Sequence, residues 1–447
     1  MPVLYQHIEL VYEIFSSGIS GVRIDRVKNL IFLFLISLSV LAVYQKALFN
    51  FFAQDDFILI NQFSQNNLIL DLKNVFGLPT VTHWRPIHNL YFFLAGNLFG
   101  KNYVGYHVLT LIFHIGASFL IYKTAYLLLK NRTASVAAGI FYGVHPAHFV
   151  SLFWISGGAT VIGFFFLIAS FYSYLINKRG LSLVLFLMSI LASEAMLIEV
   201  VIILVWEILM KGQRLDKGFL AKIGLVSFVF ALLRFAVLTP KVTFDIYKIE
   251  FSTKIIASLK YYFLRIAGFA EVASDQISTF ILLAWLVLIG GLLINNLQKK
   301  KSYQLALFSI LIIVLGLFPF VLIPTHLSPH YMNVSVFGLA MLVAITLRHR
   351  ASIVAVVVLV FFGLIAVSNI NLIKNNNWVV KRSNLAKTYI SQIEQKRLAV
   401  GSTIIFNDNQ ISTSSEAYIS LGTGQAIRFW FADENYQTCF RAFEKCN

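Results

Sequence analysis

Charged residues are the scarcest feature of this sequence. Asp, Glu, Lys and Arg make up 13% of its 447 residues, whereas soluble globular domains carry about 25%. The mean hydropathy is +0.77, and the apolar runs reach the length that spans a bilayer. Because these runs are continuous and do not alternate, they favour helices over a transmembrane β-barrel. The sequence therefore predicts an all-α polytopic membrane protein.

Cysteine is also rare, and repeats are missing. Cys439 and Cys446 are the two cysteines, and both lie in the polar C-terminal part. Two cysteines are too few for a disulfide scaffold, and they match no zinc-binding pattern. Outside the cytosol they could form a disulfide with each other, and two unpaired thiols are the alternative. We find no tetratricopeptide period or other internal repeat.

The apolar runs divide the chain into three parts. We expect a cytoplasmic N-terminal segment at 1–28, a transmembrane domain at 29–371 and a small non-cytosolic α/β tail at 372–447. About eleven spans are predicted, near 29–46, 104–129, 133–151, 155–176, 181–193, 196–210, 219–238, 279–296, 303–323, 331–347 and 351–369. In the tail, the patterns predict a helix at 378–398 and strands at 402–406 and 426–431.

The net charge of +16 would suggest nucleic-acid binding in a soluble protein. Here every second connection between spans is basic and the short connections between them carry no cation, which is the positive-inside pattern and not a nucleic-acid site. The basic connections contain Arg23, Arg26, Lys28, Lys130, Arg132, Lys178, Arg179, Lys211, Arg214, Lys217, Lys222, Lys299, Lys300, Lys301, Arg348 and Arg350. This pattern predicts a cytoplasmic N-terminus and an outer C-terminus. With no retention signal and no long cytosolic part, a prokaryotic plasma membrane is favoured.

The predicted orientation gathers the remaining polar residues at the outer face. They are Asp55, Asp56, His83, Arg85, His145, His148, Glu194, His326 and His330. The two long outer connections, 47–103 and 239–278, carry apolar stretches of their own. We expect helices lying in the membrane interface there, at 87–99 and 254–272.

Asp55 and Asp56 are adjacent carboxylates directly after the first span. Each raises the proton affinity of the other, and partial burial adds to this effect. One of them could therefore act as a general base near neutral pH. The alternative is that the pair caps an interfacial helix.

Other outer residues suit the handling of a phosphate group. Arg85 presents a planar fork to phosphate oxygens, and His83 lies beside it; the alternative is an arginine that extends to lipid headgroups. His145 and His148 could ligate a metal, although orienting hydrogen bonds are favoured because no acidic residue is close in sequence. Glu194 must be paired, for example with Arg85 or a histidine. The pair His330 and Tyr331 opens the tenth predicted span and could face the same cavity.

The order of these motifs resembles the GT-C superfamily of polyprenyl-phosphate-sugar-dependent glycosyltransferases, and its protein O-mannosyltransferase-like branch in particular. The resemblance covers about 50–210 and 316–345. It rests on Asp55-Asp56, His83-Trp84-Arg85-Pro86, Tyr106-His107 with His114, His145-Pro146-Ala147-His148, Trp154-Ile155-Ser156-Gly157, Ser193-Glu194 and His330-Tyr331.

The resemblance implies an inverting transferase that works on the non-cytosolic side. Asp55 would be the base with Asp56 assisting, Arg85 and His83 would hold the donor phosphate, and His145, His148, Glu194, His330 and Tyr331 would line the cavity. The donor would be a polyprenyl-phosphate-linked sugar and the acceptor a protein or a lipid-linked glycan. No cofactor is implied, although a divalent metal is possible.

The sequence also departs from the family pattern. Relatives usually have Gly-Arg-x-Asp where this chain has Gly157-Gly158-Ala159-Thr160, and they often have Ser-Lys-Glu where it has Ser193-Glu194. Two other classes therefore stay open. A transporter or flippase would need an inverted repeat and ionisable residues at mid-membrane. A non-catalytic envelope-assembly protein would have kept the helices and lost the chemistry.

Overall fold

The protein is described by a computed structural model. It covers residues 27–63, 67–77, 84–212, 215–234, 247–269, 300–348, 374–432 and 434–446, with isolated positions between 290 and 371. The predicted cytoplasmic segment 1–28 and the spans at 279–296 and 351–369 lie wholly or largely outside these residues.

Within the described residues, six helices are long and apolar enough to cross a membrane. They are Val27–Phe49 (α1), Tyr103–Leu129 (α5), Arg132–Phe153, Ser156–Leu175, Lys301–Val321 and Pro329–Leu347. These match six of the predicted spans, and the chain is an integral membrane protein. The total of about eleven stays a prediction.

Four of these six segments are compound, and the first of them, α1, ends in a 3-10 turn at Gln45–Phe49. Arg132–Gly143 (α6), a 3-10 turn at Pro146–His148 and Phe149–Phe153 (α7) follow one another. A 3-10 turn at Ser156–Gly158 leads into Ala159–Leu175 (α8). Another 3-10 turn, Pro329–Met332, leads into the helix Asn333–Leu347 (α14). Pro146 and Pro329 each begin their 3-10 turn, where a missing backbone N–H costs least.

Shorter helices complete the membrane part. They are Arg179–Ala192 (α9), Glu199–Trp206 (α10), Lys217–Leu232 (α11) and Lys254–Ile266 (α12), and the helix Lys300–Val321 (α13) carries the fifth of the six spans. Between α9 and α10, Ser193 is extended and a 3-10 turn runs from Glu194 to Ile198. The predicted spans 181–193 and 196–210 therefore meet at a break in the helix, and Glu194 is the first residue of the turn at that break.

The connection between α1 and α5 is helical. It contains Asp55–Phe63 (α2), Leu68–Phe76 (α3) and Pro86–Phe99 (α4). The helices expected at 87–99 and 254–272 are thus present as α4 and α12. In α12, the Tyr262 and Arg265 side chains are buried whereas that of Ile256 is exposed.

The tail folds as Trp378–Lys396 (α15), Thr403–Phe406 (β1), Ser414–Ser420 (α16), Gln425–Trp430 (α17) and Gln437–Phe440 (β2). The strands pair in parallel, with Thr403 opposite Gln437 and Phe406 opposite Phe440. The predicted helix 378–398 and strand 402–406 are confirmed. The strand predicted at 426–431 is wrong, because that segment is α17. Its aromatic residues suggested a strand, but they pack against the loop after α1, with Trp430 5.2 Å from Phe51 between ring centroids.

The buried apolar side chains of the described residues form two hydrophobic cores. The larger one joins α1, α5, α6, α8 and α14, and includes Ile36, Phe141, Phe164 and Phe337. The smaller one joins α2–α4 to the tail, with Phe57 and Phe92 on one side and Ile390, Leu421 and Phe440 on the other. The tail therefore packs directly on the segment that carries the two aspartates.

Candidate active site

Asp56 is the buried member of the carboxylate pair. Its side chain is 1% exposed. The backbone N–H and the hydroxyl of Ser156 donate to Oδ1 at 2.7 and 2.6 Å, and the Ala53 N–H donates to Oδ2 at 3.0 Å. The Trp154–Gly157 motif thus holds the Asp55–Asp56 motif 100 residues away in sequence.

The environment of Asp56 changes its titration. Burial raises the pKa of its carboxyl from 3.8 to about 7, the hydrogen bonds from Ser156 and Ala53 lower it, and the neighbouring charge of Asp55 raises it slightly. The repulsion that the sequence suggested is therefore a minor contribution, and desolvation dominates.

Asp55 has a different environment. It is the first residue of α2 and is exposed. A carboxylate in the first turn of a helix is stabilised by the helix dipole. Asp55 is thus the member of the pair that a substrate can reach, while Asp56 fixes the helix from which it extends.

Arg85 and Glu194 form a bidentate ion pair. Nε donates to Oε2 at 2.7 Å and Nη2 donates to Oε1 at 2.9 Å. Burial lowers the pKa of Arg85, but the charge and hydrogen bonds of Glu194 raise it more, and Tyr331 and Tyr247 add to that, so the net shift is upward. The pair joins the residue before α4 to the turn after α9, and the pairing expected for Glu194 is present.

Aromatic residues lie around this ion pair. The rings of Tyr247 and His326 are 4.7 Å apart between centroids, and those of His330 and Tyr331 are 4.0 Å apart. Ser328 Oγ lies 2.6 Å from His330 Nδ1. Burial raises the pKa of the Tyr247 phenol, Arg85 lowers it, and Asp55 and Glu194 raise it. The phenol is therefore within electrostatic reach of the base candidate and of the ion pair.

His145 and His148 lie in a packed region. His145 Nε2 is 3.0 Å from the carbonyl oxygen of Ile266, and Nδ1 accepts from the Ala147 N–H at 3.2 Å. The His148 ring packs 4.6 Å from that of His114. Both histidines are buried, so a contact with substrate stays a prediction for them.

His83, the second residue expected to bind the donor phosphate, lies outside the described residues, so that role stays a prediction. In the part of the chain that the structure describes, no three His, Cys, Asp or Glu side chains are grouped so as to hold a metal ion.

The roles of several residues at the site were not predicted from the sequence. Ser156 was part of a motif, but nothing in its spacing indicated a bond to Asp56. Tyr247 lies in the long connection 239–278, where no motif singled it out. Gln54 is bonded by the tail, through Ser420 and Arg382. These contacts join segments far apart in sequence, and no local pattern predicts them.

Comparisons with known proteins support the family resemblance. No family model matches the chain. The protein O-mannosyl-transferase Tmtc1 of Drosophila melanogaster is 34% identical over 134 residues, which is 27% of this chain and 15% of that protein. The protein O-mannosyl-transferases TMTC3 of Homo sapiens and Mus musculus are 31% and 30% identical over 149 residues, 31% of this chain and 16% of each relative. The chain thus matches only a small part of these longer relatives.

Among solved structures, the apo oligosaccharyltransferase of Archaeoglobus fulgidus has a TM-score of 0.38 at 14% identity, covering 92% of this chain and 56% of that chain. The oligosaccharyltransferase AglB from the same organism, in complex with an inhibitory peptide and a dolichol-phosphate, has a TM-score of 0.34 at 13% identity, covering 93% and 56%. These scores are too low to argue from. The sequence matches confirm the predicted resemblance: over 27% to 31% of its length, this chain is similar to protein O-mannosyl-transferases.

Proposed function

We propose that this protein is a membrane glycosyltransferase. It moves a sugar from a polyprenyl-phosphate donor to a protein or a lipid-linked glycan on the non-cytosolic side, with inversion at the anomeric carbon. The observation that carries the proposal is geometric: Asp55 is exposed at the start of α2, and Arg85 is held by a bidentate bond to Glu194. The names of the matched relatives support the same class of reaction.

In the proposed reaction, Asp55 takes the proton from an acceptor hydroxyl. The acceptor oxygen attacks the anomeric carbon, and the bond from that carbon to the phosphate oxygen breaks. A single displacement inverts the configuration, and polyprenyl phosphate leaves with the bonding electron pair. Asp56 is bonded to Ser156 and Ala53, so it positions α2 and does not contact the acceptor.

Arg85 is the candidate for the leaving phosphate. Glu194 occupies Nε and Nη2, which orients the guanidinium and leaves Nη1 to donate to a phosphate oxygen. His83 would donate a second bond. The rings of Tyr247 and Tyr331 lie 4.7 and 5.9 Å from that of His326 between centroids, and both would contact the transferred sugar.

The disulfide supports a non-cytosolic site. Cys439 and Cys446 are bonded, with their Cα atoms 5.8 Å apart, and disulfides persist mainly in oxidising compartments. The segment that carries them packs on α2 through the smaller core. The tail, which we place at 372–447, would therefore lie on the same outer side as Asp55.

The test is turnover of radiolabelled polyprenyl-phosphate mannose and glucose by the purified chain and by Asp55→Asn. Loss of a general base typically lowers the rate about 10²- to 10⁴-fold. Glu434→Gln, in the tail, is the control for removal of a carboxylate remote from the site. Near-normal turnover by Asp55→Asn would reject Asp55 as the base. Uptake of solute into liposomes without sugar transfer would favour the transporter class instead.

A further inference from the structure

One turn of the tail packs against the start of α2. Gly422, Thr423 and Gly424, between α16 and α17, have φ angles of +56°, +59° and +91°. A Cβ at Gly422 would lie 2.4 Å from the carbonyl oxygen of Gln54 and 3.2 Å from Cβ of Phe57. Only glycine fits there, because both the backbone conformation and the available space exclude a side chain.

Gln54, the residue that this turn touches, is itself in an unusual conformation. Its φ is +55°, in the left-handed region that residues with a Cβ rarely adopt. Such a conformation persists only where surrounding contacts hold it. The residue lies immediately before Asp55, so its backbone direction sets the direction in which α2 begins.

The contacts that hold Gln54 come from the tail. Its N–H donates to the carbonyl oxygen of Ser420 at 3.0 Å. Its Oε1 accepts from Arg382 Nη1 at 3.1 Å. The same arginine donates to Glu416 through Nε at 2.6 Å, which fixes its guanidinium in place.

The tail also binds the end of α2 and the connection between α4 and α5. Near the end of α2, Asn61 Nδ2 donates to the carbonyl oxygen of Gln425 at 2.8 Å. Lys101 Nζ donates to the carbonyl oxygen of Trp430 at 2.7 Å. α2 is thus bound at both ends by the tail, whereas Asp56 binds it to the Ser156 turn of the membrane part.

We propose that Gly422 and Arg382 are positioning residues for Asp55. The tail holds Gln54 in its left-handed conformation, and this conformation aims the Asp55 carboxylate at the acceptor. The inference rests on the proposed role of Asp55 as base. It gives the tail a role in catalysis that neither the sequence motifs nor the names of the relatives indicate.

The first test compares Gly422→Ala with Gly401→Ala. Both glycines have positive φ and lie in the tail, but a Cβ at Gly401 meets nothing within 4 Å. Both variants therefore bear the backbone strain, and only Gly422→Ala displaces Gln54. With radiolabelled polyprenyl-phosphate mannose and glucose, we expect kcat per folded molecule to fall at least 10-fold in Gly422→Ala, with KM for the donor within twofold of wild type. Gly401→Ala should keep the wild-type kcat.

The second test uses Arg382, in case Gly422→Ala does not fold. Arg382→Ala should lower kcat and leave KM for the donor unchanged, and Arg382→Lys should recover part of the rate because an ammonium can still donate to Gln54. Lys387→Ala is the control: it removes an exposed cation of the same helix, α15, and leaves the Arg382 bonds to Gln54 and Glu416 in place.

The outcomes separate this inference from the proposed function. If Asp55→Asn is inactive but Gly422→Ala and Arg382→Ala keep the kcat of their controls, the tail is merely structural and the positioning role is wrong. If Asp55→Asn is fully active, the proposed base fails, and the positioning role fails with it.

Discussion

At the scale of single residues, two adjacent and chemically identical carboxylates have different environments. Asp56 is buried and accepts three hydrogen bonds, whereas Asp55 is exposed at the helix start. The sequence identified the pair but not this difference in environment, and the assisting chemical role that it assigned to Asp56 stays a prediction. The difference between the two environments depends on Ser156, which is distant in sequence, so composition and spacing alone could not predict it.

The raised pKa of Asp56 predicts a pH-dependent stability. Because its pKa is about 7 in the folded state and 3.8 is its ordinary value, the folded state holds the proton more tightly. Its contribution to stability is full below about pH 4 and is lost as pH rises through about 7. Apparent melting temperatures between pH 5 and 8 should therefore fall more steeply for wild type than for Asp56→Asn. Parallel curves would contradict this.

The Arg85–Glu194 pair predicts non-additive substitutions. Its side chains are 23% and 22% exposed, and its geometry is bidentate, so its coupling should exceed that of a typical exposed pair. In a double-mutant cycle with Arg85→Ala and Glu194→Ala, we expect a coupling of about 1 kcal/mol in the apparent free energy of unfolding. Additive effects would show that the pair contributes nothing to stability.

At the scale of elements, the apolar runs predicted the long helices well. The apolar runs 331–347 and 104–129 reappear as α14 and α5, because length and hydropathy in lipid leave the backbone few alternatives. The tail was harder. Segment 426–431 has strand-like composition, but the left-handed Gly424 precedes α17, and the aromatic residues pack on the loop after α1. Contacts with residues distant in sequence, and not local composition, therefore determine that this segment is helical.

Close helix packing predicts that one glycine is irreplaceable. At Gly338 in α14, a Cβ would lie 2.7 Å from the Ser309 carbonyl oxygen of α13. Gly338→Ala should therefore destabilise the protein by about 1–3 kcal/mol in thermal unfolding. Gly224→Ala is the control, since a Cβ there meets nothing within 4 Å; it should be neutral or gain up to about 1 kcal/mol. Equal effects of the two would reject close packing as the cause.

At the scale of the whole molecule, polar groups separate to two ends of the helices. Asn131 Nδ2 donates to the Arg348 carbonyl oxygen at 2.8 Å, and Arg179 pairs with Asp216 at 2.9 Å. Each of these contacts joins two basic connections that the charge pattern predicts on the same side, and the Arg85–Glu194 pair lies at the opposite end of α9 from Arg179. The side of the membrane on which each end lies stays a prediction. The charge pattern did not predict that the tail would pack on α2.

This separation predicts how single cysteines label in intact cells. The two native cysteines are paired in a disulfide, so they should not react with a thiol reagent. Glu434→Cys should react with a membrane-impermeant maleimide from outside, and Lys301→Cys only after permeabilisation. The reverse pattern would place the aspartates on the cytosolic side and contradict the proposed orientation.

The central claim is that Asp55 is the base of a sugar transfer. The most direct test is turnover of radiolabelled polyprenyl-phosphate mannose and glucose by wild type, Asp55→Asn and Glu434→Gln, each shown to be folded by its melting temperature. We predict transfer or hydrolysis by wild type and Glu434→Gln, and a loss of about 10²- to 10⁴-fold in Asp55→Asn. Equal turnover by all three proteins would contradict the claim.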